Sequence, residues 1–259
     1  MMPLANAVAL VDAFQREGIL YCHWKSNAHA REGMCGITDL DLLIDRRQHD
    51  QALRVLACCG FKRFAPAPGQ GYSAVEDYLG LDGATGALLH CHVHFRLVAG
   101  ERHLKGWRLP WENVMLDRRV WDDDAGLFVA SPEVEMLTLL VRGALKVRLR
   151  DIARELAGGR AAAAGIAAEH AWLAERADRA ECLALGRTLL GAPAEDSLAE
   201  LLDAPPTLAA LRRLARTLRR EPVLLRTHGP VEGRLRRWAR EGVWLAAGIN
   251  RRLLRSARP

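Results

Sequence analysis

No run of eighteen or more apolar residues occurs in the 259-residue chain, so no hydrophobic transmembrane helix is expected. Met1 to Val11 lacks both a basic stretch and a small-residue cleavage site, which argues against a secretory leader. The six cysteines, Cys22, Cys35, Cys58, Cys59, Cys91 and Cys182, form no Cys-x-x-Cys pair, and several sit in apolar segments. They read as reduced, buried thiols of a cytoplasmic protein. No Gly-x-x-x-x-Gly-Lys-Ser/Thr loop is present, which excludes a P-loop kinase. No repeat period and no long low-complexity linker is found.

What is present is enough for a core. Half the residues are hydrophobic, and the length suits one large domain or two of ordinary size. The net charge of +6 is unevenly placed. From Leu211 onward, 14 Arg face 3 Glu, a net of +11, so the first 210 residues are net −5. The basic character belongs to the C-terminal tail.

The stretch Gly36-Ile37-Thr38-Asp39-Leu40-Asp41-Leu42-Leu43-Ile44-Asp45 combines strand formers with two acids two residues apart. Alternation on a strand points Asp39 and Asp41 to one side and Leu40 and Leu42 to the other. Two carboxylates facing one way suit a divalent cation such as Mg²⁺, which prefers carboxylate and phosphate oxygens. The competing reading is a strand end with two solvated acids. Like charges this close repel, so neutralising Asp41 is expected to leave stability unchanged or slightly raised. A second strand, Ala87 to Val98, carries His90, His92 and His94 on one face and Cys91, Val93 and Phe95 on the other. Three His on one strand spread over about 13 Å, too far to share one ion unaided.

Upstream, Tyr21-Cys22-His23-Trp24-Lys25-Ser26-Asn27 ends a strand in a small polar turn, twelve residues before Asp39. Together these segments resemble the nucleotidyltransferase superfamily of the DNA polymerase β type: strand, Gly-Ser turn, spacer, Asp-x-Asp strand. Ser26 falls on the Ser position and Lys25 replaces the usual Gly. More narrowly, Tyr21–Asn27, Thr38–Asp45, Gly60-Phe61-Lys62, Glu76-Asp77-Tyr78 and His90–Leu97 look like the domain that precedes a thymidylate-kinase-like domain in some bacterial fusions. The resemblance covers the first half of the chain. It implies Mg²⁺ (or Mn²⁺) on Asp39 and Asp41, phosphate contacts from Ser26 and Lys25, and an NTP substrate. It implies His92 or His94 at the position where the family carries a third acid; Glu76, Asp77 or Asp82 are alternatives for the missing charge. Asn27, Arg96 and Lys105 join the nucleotide-binding set as residues of the turn and the cleft mouth. Arg102 is as well explained as ordinary surface charge.

Patterning predicts an α+β chain, a mixed sheet with flanking helices over residues 1–130 and then an all-α domain over 131–259 with Arg-rich C-terminal helices; the resemblance implies that the sheet is nucleotidyltransferase-like. Leu4–Arg16 and Arg47–Cys58 read as helices on one sheet face. Strands are expected at Ile19–Trp24, Asp39–Ile44, Phe61–Phe64, Asp77–Leu81 and Ala87–Val98, with a hairpin turn at Asp82–Gly86. Asp122-Asp123-Asp124 reads as a solvated turn. Ser131-Pro132-Glu133 is a helix start, with Ser131 as cap, and Leu149–Leu156, Ala161–Ala177, Ala180–Leu190, Leu208–Arg220 and Gly233–Leu254 read as further helices. The tail is expected to bury Trp238 and Trp244 and leave its Arg side wet.

Three functions are weighed. The first is Mg-dependent transfer of a nucleoside monophosphate from an NTP to a hydroxyl of a small-molecule acceptor. The second is a non-catalytic or regulatory nucleotide-binding module, which the fusion relatives would pair with a kinase-like partner. The third is a nucleic-acid or anionic-membrane-surface binder acting through the basic tail.

Overall fold

The computed structural model describes residues 2–66, 71–72, 74–100, 104–147 and 164–229, with parts of 231–242. The first half alternates helices and strands. Helix α1 (Ala5–Arg16) leads into strand β1 (Tyr21–His23), the short helix α2 (Ala30–Met34) and strand β2 (Leu40–Ile44). Helix α3 (His49–Cys58) is followed by β3 (Lys62–Phe64), β4 (Val75–Leu81), β5 (Leu88–His94), β6 (Leu97–Ala99) and β7 (Trp107–Leu109). Helix α4 (Glu112–Asp117) and the hairpin β8 (Val120–Asp122) and β9 (Leu127–Val129) complete it. The second half supplies α5 (Pro132–Lys146), α6 (Ala164–Ala174), α7 (Arg179–Leu190), α8 (Glu195–Asp203) and α9 (Leu208–Arg220), ending in the two-residue strand β10 (Leu225–Arg226).

Seven strands form one mixed sheet in the order β3-β4-β5-β2-β1-β9-β8. β2 runs parallel to β5 and antiparallel to β1, and β4 is antiparallel to β5. The period-two patterning of β2 and β5 sends their apolar residues to opposite faces. Leu40, Leu42, Ile44, Leu89, Cys91 and Val93 pack with α1 and α3 in one core. Leu43, Cys22 and Trp24 lie on the other face, in a core shared with α5, α7, α8 and α9. Both helices read from the first half therefore cover the same side.

The structure corrects the sequence reading in several places. The long strand expected over Ala87–Val98 is two. β5 stops at His94, and Leu97–Ala99 joins a separate three-stranded sheet, β10-β7-β6. Alternation continues across the break because both pieces are buried, so the pattern cannot register the change of partner. Ser131 holds the cap position of α5, but its hydroxyl makes no capping bond. Cys58 is exposed rather than buried. Trp238 is 69% exposed, so it does not supply the burial expected of the tail. Asp122 Oδ1 accepts from the amides of Asp124 and Ala125, which makes the triple-Asp segment a side-chain-braced turn. Leu149–Leu156, Arg102 and Trp244 lie outside the described residues. Among those described, no helix is long and apolar enough to cross a membrane.

Candidate functional site

The site lies on the α5 side of the sheet, where β2 and β5 run side by side. Their register pairs Asp41 with His92 and Leu43 with His94. On the far side of β5, the antiparallel register of β4 places Asp77 opposite His92. Side chains of registered residues share a face, so these residues converge.

Two overlapping groups result. In the outer group, His90 Nδ1 lies 2.8 Å from Asp39 Oδ1, and His90 Nε2 lies 3.3 Å from Asp77 Oδ1. His92 Nε2 is 2.8 Å from the same Asp77 oxygen. In the inner group, His94 Nε2 lies 3.2 Å and His92 Nδ1 3.4 Å from Asp41 Oδ1. Asp39, His90 and His92 each offer a ligand atom within 4.8 Å of one another, and so do Asp41, His92 and His94. All four predicted metal residues, Asp39, Asp41, His92 and His94, thus come together, and His90 joins them. Asp77 brings the third carboxylate. Of the other two candidates, Glu76 pairs with Arg63, and Asp82 braces the hairpin turn through Thr85.

Lys25 completes the inner group. Its Nζ sits 2.5 Å from Asp41 Oδ1 and 2.9 Å from His94 Nε2, with Trp24 beneath it at 4.6 Å. Burial works against ionising Asp41, but the Lys25 ammonium and the His92 and His94 hydrogen bonds outweigh it. They hold the carboxyl well below its ordinary range. Burial and then Lys25 push His94 down to about 3. Burial also opposes the charge on His92, yet its hydrogen bonds to Asp41 and Asp77 lift it to about 9. Asp77 is depressed: its bonds to His90 and His92 overcome the burial that would raise it.

The turn that carries Lys25 has a feature no local pattern indicates. Lys25 and Ser26 both have left-handed backbone, φ 69° and 62°, a conformation that side chains disfavour. It aims two successive amides at one place. Glu135, in the first turn of α5 and fully buried, accepts from Lys25 N–H at 3.2 Å and Ser26 N–H at 2.8 Å. Glu169 of α6 lies 2.9 Å from the same Ser26 nitrogen. Burial raises Glu135 to about 7; Arg142 opposes the rise and Glu169 reinforces it. Ser26 therefore contributes its backbone amide to a carboxylate.

The remaining predicted residues divide. Asn27 is buried, donates to Ala130 O and pairs with His23, so its amide holds the turn and does not face a ligand. Lys105 is near enough to the site to feel Lys25, Lys146 and Arg142; burial first, then these cations, bring it down to about 8. Arg96 faces a different cavity. Arg142 and Lys146 line a cavity of about 430 Å³ together with Glu169, and neither was singled out from the sequence. The sequence distances explain the omission: Glu135 is 110 residues from Lys25, and a helix-start acid reads as a dipole partner. Set beside family models, curated proteins and solved structures, the chain matches none.

Proposed function

We propose that this chain has a nucleotidyltransferase-like fold and moves a nucleoside monophosphate from an NTP to a hydroxyl of a small-molecule acceptor, using Mg²⁺ or Mn²⁺. The observation that carries the reading is the convergence of Asp39, Asp41 and Asp77 on one sheet face beside the Lys25–Ser26 turn. A divalent ion fits this donor set: carboxylates and imidazoles approach one another within ligand distance, and Lys25 already places a positive charge on Asp41. The mixed oxygen and imidazole donors favour Mn²⁺ over Mg²⁺. Asp41 with His92 and His94, or Asp39 with His90 and His92, would hold the ion, which when bound would lower the pKa of the attacking hydroxyl and offset phosphate charge. In the transfer, the acceptor hydroxyl loses its proton to solvent and its oxygen forms a bond to the α-phosphorus, the bond from that phosphorus to the α–β bridging oxygen breaks, and pyrophosphate leaves. Arg142 and Lys146, which line one cavity, supply cations for the triphosphate. Six free thiols suit a reducing compartment, the cytoplasm.

A second reading, a non-catalytic nucleotide-binding module, is favoured by one observation: Lys25 neutralises Asp41 directly. A thermal shift with Mn²⁺ or Mg²⁺ and each NTP, run beside pyrophosphate release, separates the two. Metal-dependent pyrophosphate release that is lost in Asp41→Asn supports transfer. Nucleotide stabilisation without turnover supports the module, and no nucleotide shift at all defeats both.

A further inference from the structure

The second, three-stranded sheet is not used by the site above, yet it forms the floor of a cavity of about 350 Å³. The register of β6, β7 and β10 puts Val98, Arg108 and Leu225 opposite one another on one face, and all three line it. Arg96, Lys105 and Arg226 add positive charge to its walls. Arg108 is neutralised by Glu112 at 3.2 Å, and Arg236, also on the wall, by Glu232 at 2.9 Å. Arg96, Lys105 and Arg226 form no ion pair among the described residues, and the Nε of Arg96 is buried without a hydrogen-bond partner.

Burying cations without a counter-charge is unfavourable, and crowding them raises the cost. Arg96 and Lys105 are partly buried and Arg226 stands exposed beside them at the rim, so an anion in this concavity would offset all three charges. The fixings are rigid as well. The Arg226 guanidinium lies 4.8 Å from the Trp107 ring centroid. Thr227 ties β10 to the Lys105–Gly106 backbone by bonds of 3.1 and 3.0 Å. A planar guanidinium with a free edge matches the geometry of a phosphate. The volume falls within the range of small-molecule sites and is concave, unlike the open groove that tracks a nucleic-acid strand.

We infer that this cavity binds the phosphomonoester group of a small molecule through Arg96, Lys105 and Arg226. Arg96 lies two residues beyond His94 of the Asp/His cluster, so the chain leads from the proposed transfer site to this cavity. The ligand's role as the phosphorylated acceptor rests on the transfer reading; the anion site itself does not.

The test uses the full chain without metal or nucleotide, so it is decided independently of turnover. Ribose 5-phosphate, ribose and inorganic phosphate are titrated while the indole N–H signals are followed by NMR, with Trp107 assigned through Trp107→Phe. Ribose 5-phosphate and phosphate, but not ribose, are expected to shift the Trp107 signal, with affinity falling at least tenfold in Arg96→Gln and in Arg226→Gln. The second variant alters an exposed side chain, so it decides the matter if the first fails to fold. Equal affinity in parent and Arg226→Gln overturns the proposal. So does a single-stranded 12-mer that binds over a hundredfold more tightly than ribose 5-phosphate, with a steep salt dependence. Phosphate binding that holds while pyrophosphate release is never seen leaves the site standing and removes only its role as acceptor.

Discussion

The inner and outer halves of the Asp/His cluster use the same residue types to different ends. Inside, Asp41 is 16% exposed and bonded to Lys25 and two imidazoles. Outside, Asp39 is 51% exposed and meets His90 and the edge of His92. Low exposure strengthens every charge interaction and raises the cost of leaving one unpaired. The inner half is therefore committed to the fold as well as to any ligand, while the outer half is free to exchange one cation for another. His92 belongs to both and couples them.

Neutralising each acid sharpens the contrast most. Asp41→Asn strands the Lys25 ammonium and is expected to cost about 2–4 kcal/mol in the metal-free protein. Asp39→Asn is expected to stay within about 0.5 kcal/mol, as for other exposed positions. Urea midpoints for the two variants check this, and equal losses would erase the distinction. The structure here reverses the sequence reading, in which two neighbouring acids merely repel.

The next effect is a pH dependence. His92 titrates near 9 in the folded chain and near 6.5 when unfolded. A raised pKa stabilises fully below the unfolded value and loses that contribution as pH rises through the folded one. The His92 contribution to metal-free stability, read as parent minus His92→Gln, is thus expected to fall by about 3 kcal/mol between pH 6.5 and 9.5. His92→Gln should flatten the slope, and an unchanged slope would locate the proton elsewhere.

Lys25→Met opens the inner half. Removing a cation that already occupies Asp41 is expected to raise Mn²⁺ affinity about tenfold or more by calorimetry. The variant should melt lower without metal and recover with it. Unchanged affinity would assign metal binding to the outer group alone. Asp77→Asn is expected to cost about 1 kcal/mol, between the two acids of β2. Its signature is a lower His92 pKa by NMR, with the His94 signal unmoved.

Much of this was readable locally. The shared face of Asp39 and Asp41, the alternation of His90, His92 and His94, and helices α1 and α3 follow from residues two to four apart. What was not readable depends on pairing. Only the β4–β5 register selects Asp77 over Glu76 and Asp82. Only tertiary packing sends Leu97–Ala99 to a second sheet, and only the return of α5 brings Glu135 to the Lys25–Ser26 turn. Asn27 shows the converse: its place in the motif was legible, but its use as a strut depends on Ala130, 103 residues on.

The carboxylate held at that turn has a thermodynamic consequence. Glu135 already fills the place to which the two amides point, so an incoming phosphoryl group competes with the protein's own anion. Its apparent affinity is reduced by the fraction of molecules in which Glu135 is seated. Displacing Glu135 towards water would return its pKa from about 7 to the ordinary carboxylate value of 4.5. Near pH 6.5 a substantial share of molecules then give up a proton as the anion arrives. Nucleotide binding measured in buffers of different ionisation enthalpy should therefore show proton release that fades above pH 8 and is absent in Glu135→Gln, so that proton count measures how far the turn has opened.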